Sequence, residues 1–275
     1  MYGEGKIMEK NIDEAMIKEL VAYLRTLPMN TLFAQSVLLG SGKGSYCVDI
    51  LDSPSWLYIR LDYSMSLFCS LKHTLTESEI ARGIEFLHHI KVNREGVELL
   101  QLYPSHLSKY VLDKFPHAVD HGRFNFTFSL ETFSALYKRH YKEVDYQELC
   151  LMNLLKTLTL QEVFEFDGVV VPKYFWTEKK FQELGSASGI FLERKLSSVA
   201  FSAMRVDNDV EVGIETLENA RGRNFAFYVC LHYIHTLLES GLNPVWSCKA
   251  TNTASRKLGE KLGFTLSRVL PYIEF

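Results

Sequence analysis

One segment limits the possible folds more than any other: residues 209–264, DVEVGIETLENARGRNFAFYVCLHYIHTLLESGLNPVWSCKATNTASRKLGEKLGF. It reads as strand, tight basic turn, long helix, strand, short helix. In the strand Val210 to Thr216, Val210, Val212 and Ile214 share one face, and Glu211, Gly213 and Glu215 share the other. The turn Arg221-Gly222-Arg223-Asn224-Phe225-Ala226 stands where a helix of about Asn224 to Ser240 begins, and Gly241 suits a left-handed cap at its end. Backbone N–H groups at a helix start are unpaired and carry partial positive charge. Two arginines add to it, so the turn suits a pyrophosphate. Short Gly/Arg runs also open helices that hold no ligand, so the turn alone leaves both possibilities open.

The rest of the chain supports a large folded protein. Of 275 residues, 47% are hydrophobic and 13% aromatic, which is ample for a packed core and argues against disorder. The net charge of -3, with both signs mixed, makes nucleic acid a poor partner. Cys47, Cys69, Cys150, Cys230 and Cys248 form no CxxC pair and lie mostly in apolar runs, which suits free thiols in a reducing compartment. The polar start MYGEGKIMEKNIDEAM is unlike a signal peptide. No run approaches the roughly 18 apolar residues of a membrane span. A cytoplasmic protein with no membrane partner is expected. The oligomeric state is not legible.

The pattern predicts a helix from a cap at Asn11 to about Leu27, and strands at Val37–Leu39, Tyr46–Ile50, Ser55–Leu61 and Met65–Lys72. Thr76-Glu77-Ser78-Glu79 fits a capping box for a helix through about Ile90, and Val97–Tyr103 follows as a strand. Pro104 to Arg123 reads as a connector. Beyond it come a strand at Phe124–Phe128 and helices at Leu130–Arg139 and Tyr146–Leu155. Val163–Val171 is undecided, and Glu178–Leu184 is helical. Strands Gly189–Glu193 and Ser198–Val206 lead into the informative segment. After it, Val245–Ala250 is a strand, Asn252 caps a helix to about Leu262, and Thr265–Phe275 supplies one or two closing strands. The fold class is α+β with two domains, 1–122 and 123–275. Both halves run strands, turn, helix, strand, but the first has no phosphate-binding turn and can be read as a degenerate copy.

The segment 209–264 resembles the acetyl-CoA-binding core of the GNAT superfamily of N-acetyltransferases. That family opens a helix with Arg/Gln-x-x-Gly-x-Gly/Ala. Here Arg221, Asn224 and Ala226 hold the defining positions, with Asn224 in place of the central Gly. Asn tolerates left-handed geometry better than most residues, so the departure is mild. The resemblance implies a C-terminal mixed sheet flanked by helices, with two strands that splay to admit the pantetheine arm. It implies that Val212, Gly213 and Ile214 meet that arm, that Arg221, Gly222, Arg223, Asn224, Phe225 and Ala226 meet the pyrophosphate, and that Asn252 and Ser255 hold the arm from the next helix. Pro244-Val-Trp-Ser-Cys, Asn30-Thr-Leu-Phe and Arg123-Phe-Asn-Phe resemble a bacterial GNAT acetyltransferase family with an extra N-terminal domain. The implied activity is acetyl transfer from acetyl-CoA to an amine, without a metal.

Such a transfer needs a base for the amine, and Glu211 and Glu215 share the strand face where the acetyl group is expected. Each can equally be a solvated or Arg-paired carboxylate. The N–H of about Ile214 would polarise the thioester carbonyl. Many relatives carry a Tyr general acid in the last helix, where this chain has Gly259. Tyr272 can replace it only if the closing strand returns to the site. Cys248 has no His or Asp placed to activate it and reads as packing. His232 and His235, three apart on one helix, lack further metal ligands and read as helix surface. A GNAT fold that binds acyl-CoA without turnover, and a scaffold that binds no cofactor, remain as alternatives.

Overall fold

The computed structural model describes residues 12–92, 96–152 and 154–275. The chain divides into two units. One contains the chain up to Arg123 together with Lys249–Thr251 and Val269–Phe275, and the other contains Phe124–Cys248 and Asn252–Arg268.

In the first unit, α1 (Glu14–Thr26) starts at Asp13, whose carboxylate accepts the Met16 N–H at 2.8 Å. Asn11, expected as the cap, lies outside the described residues. α1 buries Leu20, Val21 and Leu24 and ends before Pro28. The strand expected at Val37–Leu39 is instead part of a helix, α2 (Leu32–Leu38). All its residues are buried, so no apolar period marks it. Its Ala, Gln and Leu residues are good helix formers, and Gly40 leaves it at φ +70°. Strands β1 (Gly44–Val48), β2 (Trp56–Leu61) and β3 (Met65–Ser70) form an antiparallel meander. The capping box of α3 (Glu77–Val92) is present: the Glu79 carboxylate accepts the Thr76 N–H at 2.8 Å, and Thr76 Oγ1 accepts the Glu79 N–H at 3.3 Å.

Strand β4 (Leu99–Tyr103) lies parallel to β3 and pairs with it without interruption from Met65↔Leu99 to Cys69↔Tyr103. The expected connector contains a helix, α4 (Ser108–Lys114), and a short strand, β5 (Val119–Asp120). Leu107 and Val111, both fully buried, tie this stretch into the core, an anchor that its polar His, Lys and Pro residues obscured.

The second unit runs β6 (Arg123–Phe128), α5 (Leu130–His140), α6 (Val144–Leu151), β7 (Leu155–Thr157), α7 (Leu160–Glu165) and α8 (Glu178–Leu184). The undecided 163–171 stretch thus begins inside α7, which a Thr159/Glu162 capping box starts. Then come the meander β8 (Ala187–Leu192), β9 (Lys195–Val206) and β10 (Asp209–Thr216), the helix α9 (Phe225–Glu239), and strands β11 (Asn243–Val245) and β12 (Ser247–Lys249). Helix α10 (Thr253–Lys261) and strands β13 (Phe264–Leu270) and β14 (Tyr272–Glu274) complete the chain.

The closing strands cross over in an ordered way. The first unit's sheet has the order β1-β2-β3-β4-β14-β5, so the C-terminal strand lies inside it. The second unit's sheets are β11-β10-β9-β8-β7 and β12-β6-β13, so β6 lies between two strands drawn from the end of the chain. The last strand of the chain, β14, is thus part of the sheet built from the first half. In the second unit, Val210, Val212, Trp246, Cys248 and Phe264 pack with the buried side of α9. Tyr233 of that helix is pinned by hydroxyl contacts to Ser202 at 2.8 Å and Ser186 at 3.0 Å.

Candidate active site

The site begins where a sheet divides. Parallel pairing of β10 with β11 covers Asp209↔Asn243, Val210↔Pro244 and Glu211↔Val245 and ends there. The strand expected at Val245–Ala250 is broken at Trp246. Beyond the break, β12 belongs to a different sheet. The break follows from pairing, which a run of apolar residues does not reveal. The backbone of Val212, Gly213 and Ile214 therefore lies past the point where the two strands part. On its other edge, β10 stays paired with β9, with a register slip between Glu211 and Val212, opposite Met204 and Ser202.

The basic turn follows β10. Gly222 has φ +77° and Asn224 φ +58°, so Asn224 adopts the left-handed conformation that a glycine would hold without cost. Its side chain makes no cap hydrogen bond, and the first turn of α9 contains no acidic residue. The first-turn N–H groups thus keep their donor capacity beside the exposed Arg221, Gly222, Arg223 and Asn224. Phe225 and Ala226 are half-buried at the start of the helix. Arg221 Nε donates to the Thr216 carbonyl at 3.3 Å, which ties the turn to the end of β10.

The two carboxylates differ in setting. Glu211 is buried, 6% exposed, and accepts a hydrogen bond from the Ser247 hydroxyl across the dividing strands. Glu215 accepts the Val170 N–H at 3.0 Å and so holds the 168–171 loop. Ser247 was not among the residues singled out from sequence. Its signal was its place two residues after Val245, the partner of Glu211. Asn252 caps α10, its Oδ1 accepting the Ser255 N–H at 3.0 Å. Lys261 Nζ, at the other end of α10, lies 3.8 Å from the centroid of the Phe227 ring in the first turn of α9.

Gly259 is buried against Trp246: a Cβ there would come within 3.0 Å of the indole Nε1. A larger side chain at this position therefore requires the indole to move. Tyr272, the other candidate acid, pairs with Gln101, so the strand that carries it, β14, belongs to the first unit's sheet. Cys248 packs in the core, as expected. His232 Nδ1 lies 3.2 Å from the Tyr146 hydroxyl, and burial lowers the imidazole pKa. His235 stacks on Tyr137 with centroids 3.8 Å apart and pairs with Glu239 at 3.3 Å. Among the described residues, no group of three His, Cys, Asp or Glu side chains is placed to hold a metal ion.

A family model described as GNAT acetyltransferase matches residues 28–272. The chain belongs to that family. An uncharacterized N-acetyltransferase of Bacillus subtilis, YdfB, is 28% identical over 121 residues, a match covering 41% of this chain and 46% of that protein. The chain thus spans about half the length of the curated relative it matches. A GCN5-related N-acetyltransferase-like protein from Streptococcus suis superposes with a TM-score of 0.70 at 19% identity, covering 95% of this chain and 99% of the other. A tandem GNAT protein from the clavulanic acid biosynthesis pathway superposes with a TM-score of 0.56 at 10% identity, covering 96% and 95%. These likenesses establish the GNAT fold. No helix among the described residues is long and apolar enough to cross a membrane.

Proposed function

We propose that the protein is an acetyl-CoA-dependent N-acetyltransferase that moves an acetyl group directly to an amine, using the second unit alone as its cofactor site. The observation that carries this is a contrast within one chain. In the first unit, the parallel strands flanking the helix stay paired from Met65↔Leu99 to Cys69↔Tyr103, the whole of β4. In the second, the equivalent strands part after Glu211↔Val245, and an uncapped helix start follows a basic turn. Only the second arrangement leaves strand backbone to pair with a pantetheine arm and N–H groups to meet a pyrophosphate.

In this mechanism Arg221 and Arg223 supply charge, and the N–H groups from Gly222 to Ala226 supply direction, to the pyrophosphate. Val212, Gly213 and Ile214 hold the arm by backbone hydrogen bonds, and Asn252 and Ser255 flank it from α10. The Ile214 N–H polarises the thioester carbonyl. Glu211 takes the proton from the acceptor amine, directly or through water, and Ser247 fixes its orientation. Glu215 is the second base, on the same strand face, and orders the 168–171 loop through Val170. A cytoplasmic location is part of the proposal and is supported by five free cysteines.

An acyl-CoA-binding protein without turnover is the second possibility, favoured by Gly259 where many relatives carry a Tyr. Acetylation of a panel of amines, followed as thiol release, separates the two. Glu211→Gln is expected to lower turnover about a hundredfold while acetyl-CoA affinity holds, and Glu215→Gln to lower it less. If neither substitution changes the rate, both base assignments fail.

A further inference from the structure

The Trp246 indole is 2% exposed, and its Nε1 has no hydrogen-bond partner among the described residues. A buried donor without a partner is costly, and in a folded protein it points to a ligand or a water. Trp246 is also the residue at which the sheet divides, between Val245, paired with Glu211, and Ser247, hydrogen-bonded to Glu211. Strand alternation sends Ser247 and Trp246 to opposite faces. Ser247 meets the base, while Trp246 packs with Val210, Val212 and Phe264 on the helix side. Its Nε1 lies within 3.0 Å of where a Gly259 side chain would begin. A base and an orphaned N–H thus flank one point of the backbone from opposite faces.

We propose that the Trp246 N–H is the hydrogen-bond donor to the sulfur of the departing coenzyme, the role left open by Gly259. This rests on the acetyl-CoA reading of the site. The amine approaches from the Glu211 face to be deprotonated, and the sulfur of the thioester is then open to a donor on the other face. As the new N–C bond forms, the C–S bond breaks and its electron pair stays on sulfur. The amine proton goes to Glu211. The indole keeps its proton, because Trp is a donor only. It stabilises the thiolate by a charge-assisted hydrogen bond, and the thiol is reformed by a proton from solvent on release. Relatives that place an acid at this point protonate the sulfur; here it is solvated by a fixed dipole.

The test uses ¹⁵N-labelled full-length protein. It has three tryptophans, and single Trp56→Phe, Trp176→Phe and Trp246→Phe variants assign the indole N–H signals, any two fixing the third. Coenzyme A is expected to move the Trp246 signal downfield, and desulfo-coenzyme A, which lacks the sulfur, to leave it near its free position although it binds. Trp246→Phe is expected to lower kcat about tenfold with KM for acetyl-CoA little changed, a split that loss of packing alone would not produce. Equal shifts with both ligands, when both bind, overturn the donor role and leave the site intact. No binding of coenzyme A overturns both.

Discussion

The left-handed conformation of Asn224 puts the phosphate turn in a state that most residues resist, which makes it a direct handle on the site. Its φ is +58° and ψ 12°, and its side chain makes no cap hydrogen bond. An ordinary L-residue is held there at a cost of roughly 1–2 kcal/mol, which Gly escapes and Asn partly escapes. The side chain is exposed, so substitution disturbs little packing. Asn224→Ala is then expected to weaken acetyl-CoA binding by roughly 1 kcal/mol, about fivefold, and Asn224→Val by about 2 kcal/mol, near thirtyfold, because β-branching adds to the strain. Asn224→Gly is expected to bind at least as well as the parent. Calorimetric titration of the four proteins reads this order. Equal affinity for Asn224→Val and the parent, or weaker binding by Asn224→Gly, would show that the left-handed turn does not shape the cofactor site.

Two further predictions concern the first unit. Glu98, 2% exposed, accepts from Lys91 at 2.8 Å, from Tyr58 at 2.7 Å and from the Ser66 hydroxyl. Burial raises this carboxyl, but the Lys91 charge and the three hydrogen bonds together outweigh it, so its pKa lies below the ordinary value. Its contribution to stability is therefore full above the unfolded pKa of about 4.3 and is lost as pH falls through the lowered folded value. Lys91→Met leaves the buried carboxylate without its counter-charge, a loss of about 3–5 kcal/mol at neutral pH. That loss should shrink on acidification as the carboxyl protonates in the fold, and urea titrations across pH would reject the ion pair if it stays constant. Deleting residues 269–275 removes β14 from the interior of the six-stranded sheet and should abolish the first unit's cooperative unfolding. Unchanged urea denaturation would refute the placement of β14 in that sheet.

What could be read from sequence was what local chemistry dictates. The Thr76/Glu79 box, the glycine at 241, the strand at 210–216 and the order of elements from Asp209 to Phe264 all reappear in the fold. The misreadings came where partners decide. Helix α2 is buried on every side and so has no period. α4 hides in a polar stretch anchored by Leu107 and Val111. The break at Trp246 and the orphaned indole depend on which strands pair, as do the placements of β6 and β14. Asn224 illustrates the middle case: its tolerance for left-handed geometry was legible, and its uncapped side chain was not.

The central claim is one cofactor site per chain, in the second unit. Calorimetric titration with acetyl-CoA tests it most directly, on the parent protein and on Arg221→Glu. The account predicts saturable binding with one site per chain, lost in Arg221→Glu. Two sites per chain would contradict the zipped first unit, and no binding, or binding that survives Arg221→Glu, would contradict the turn-and-split site itself.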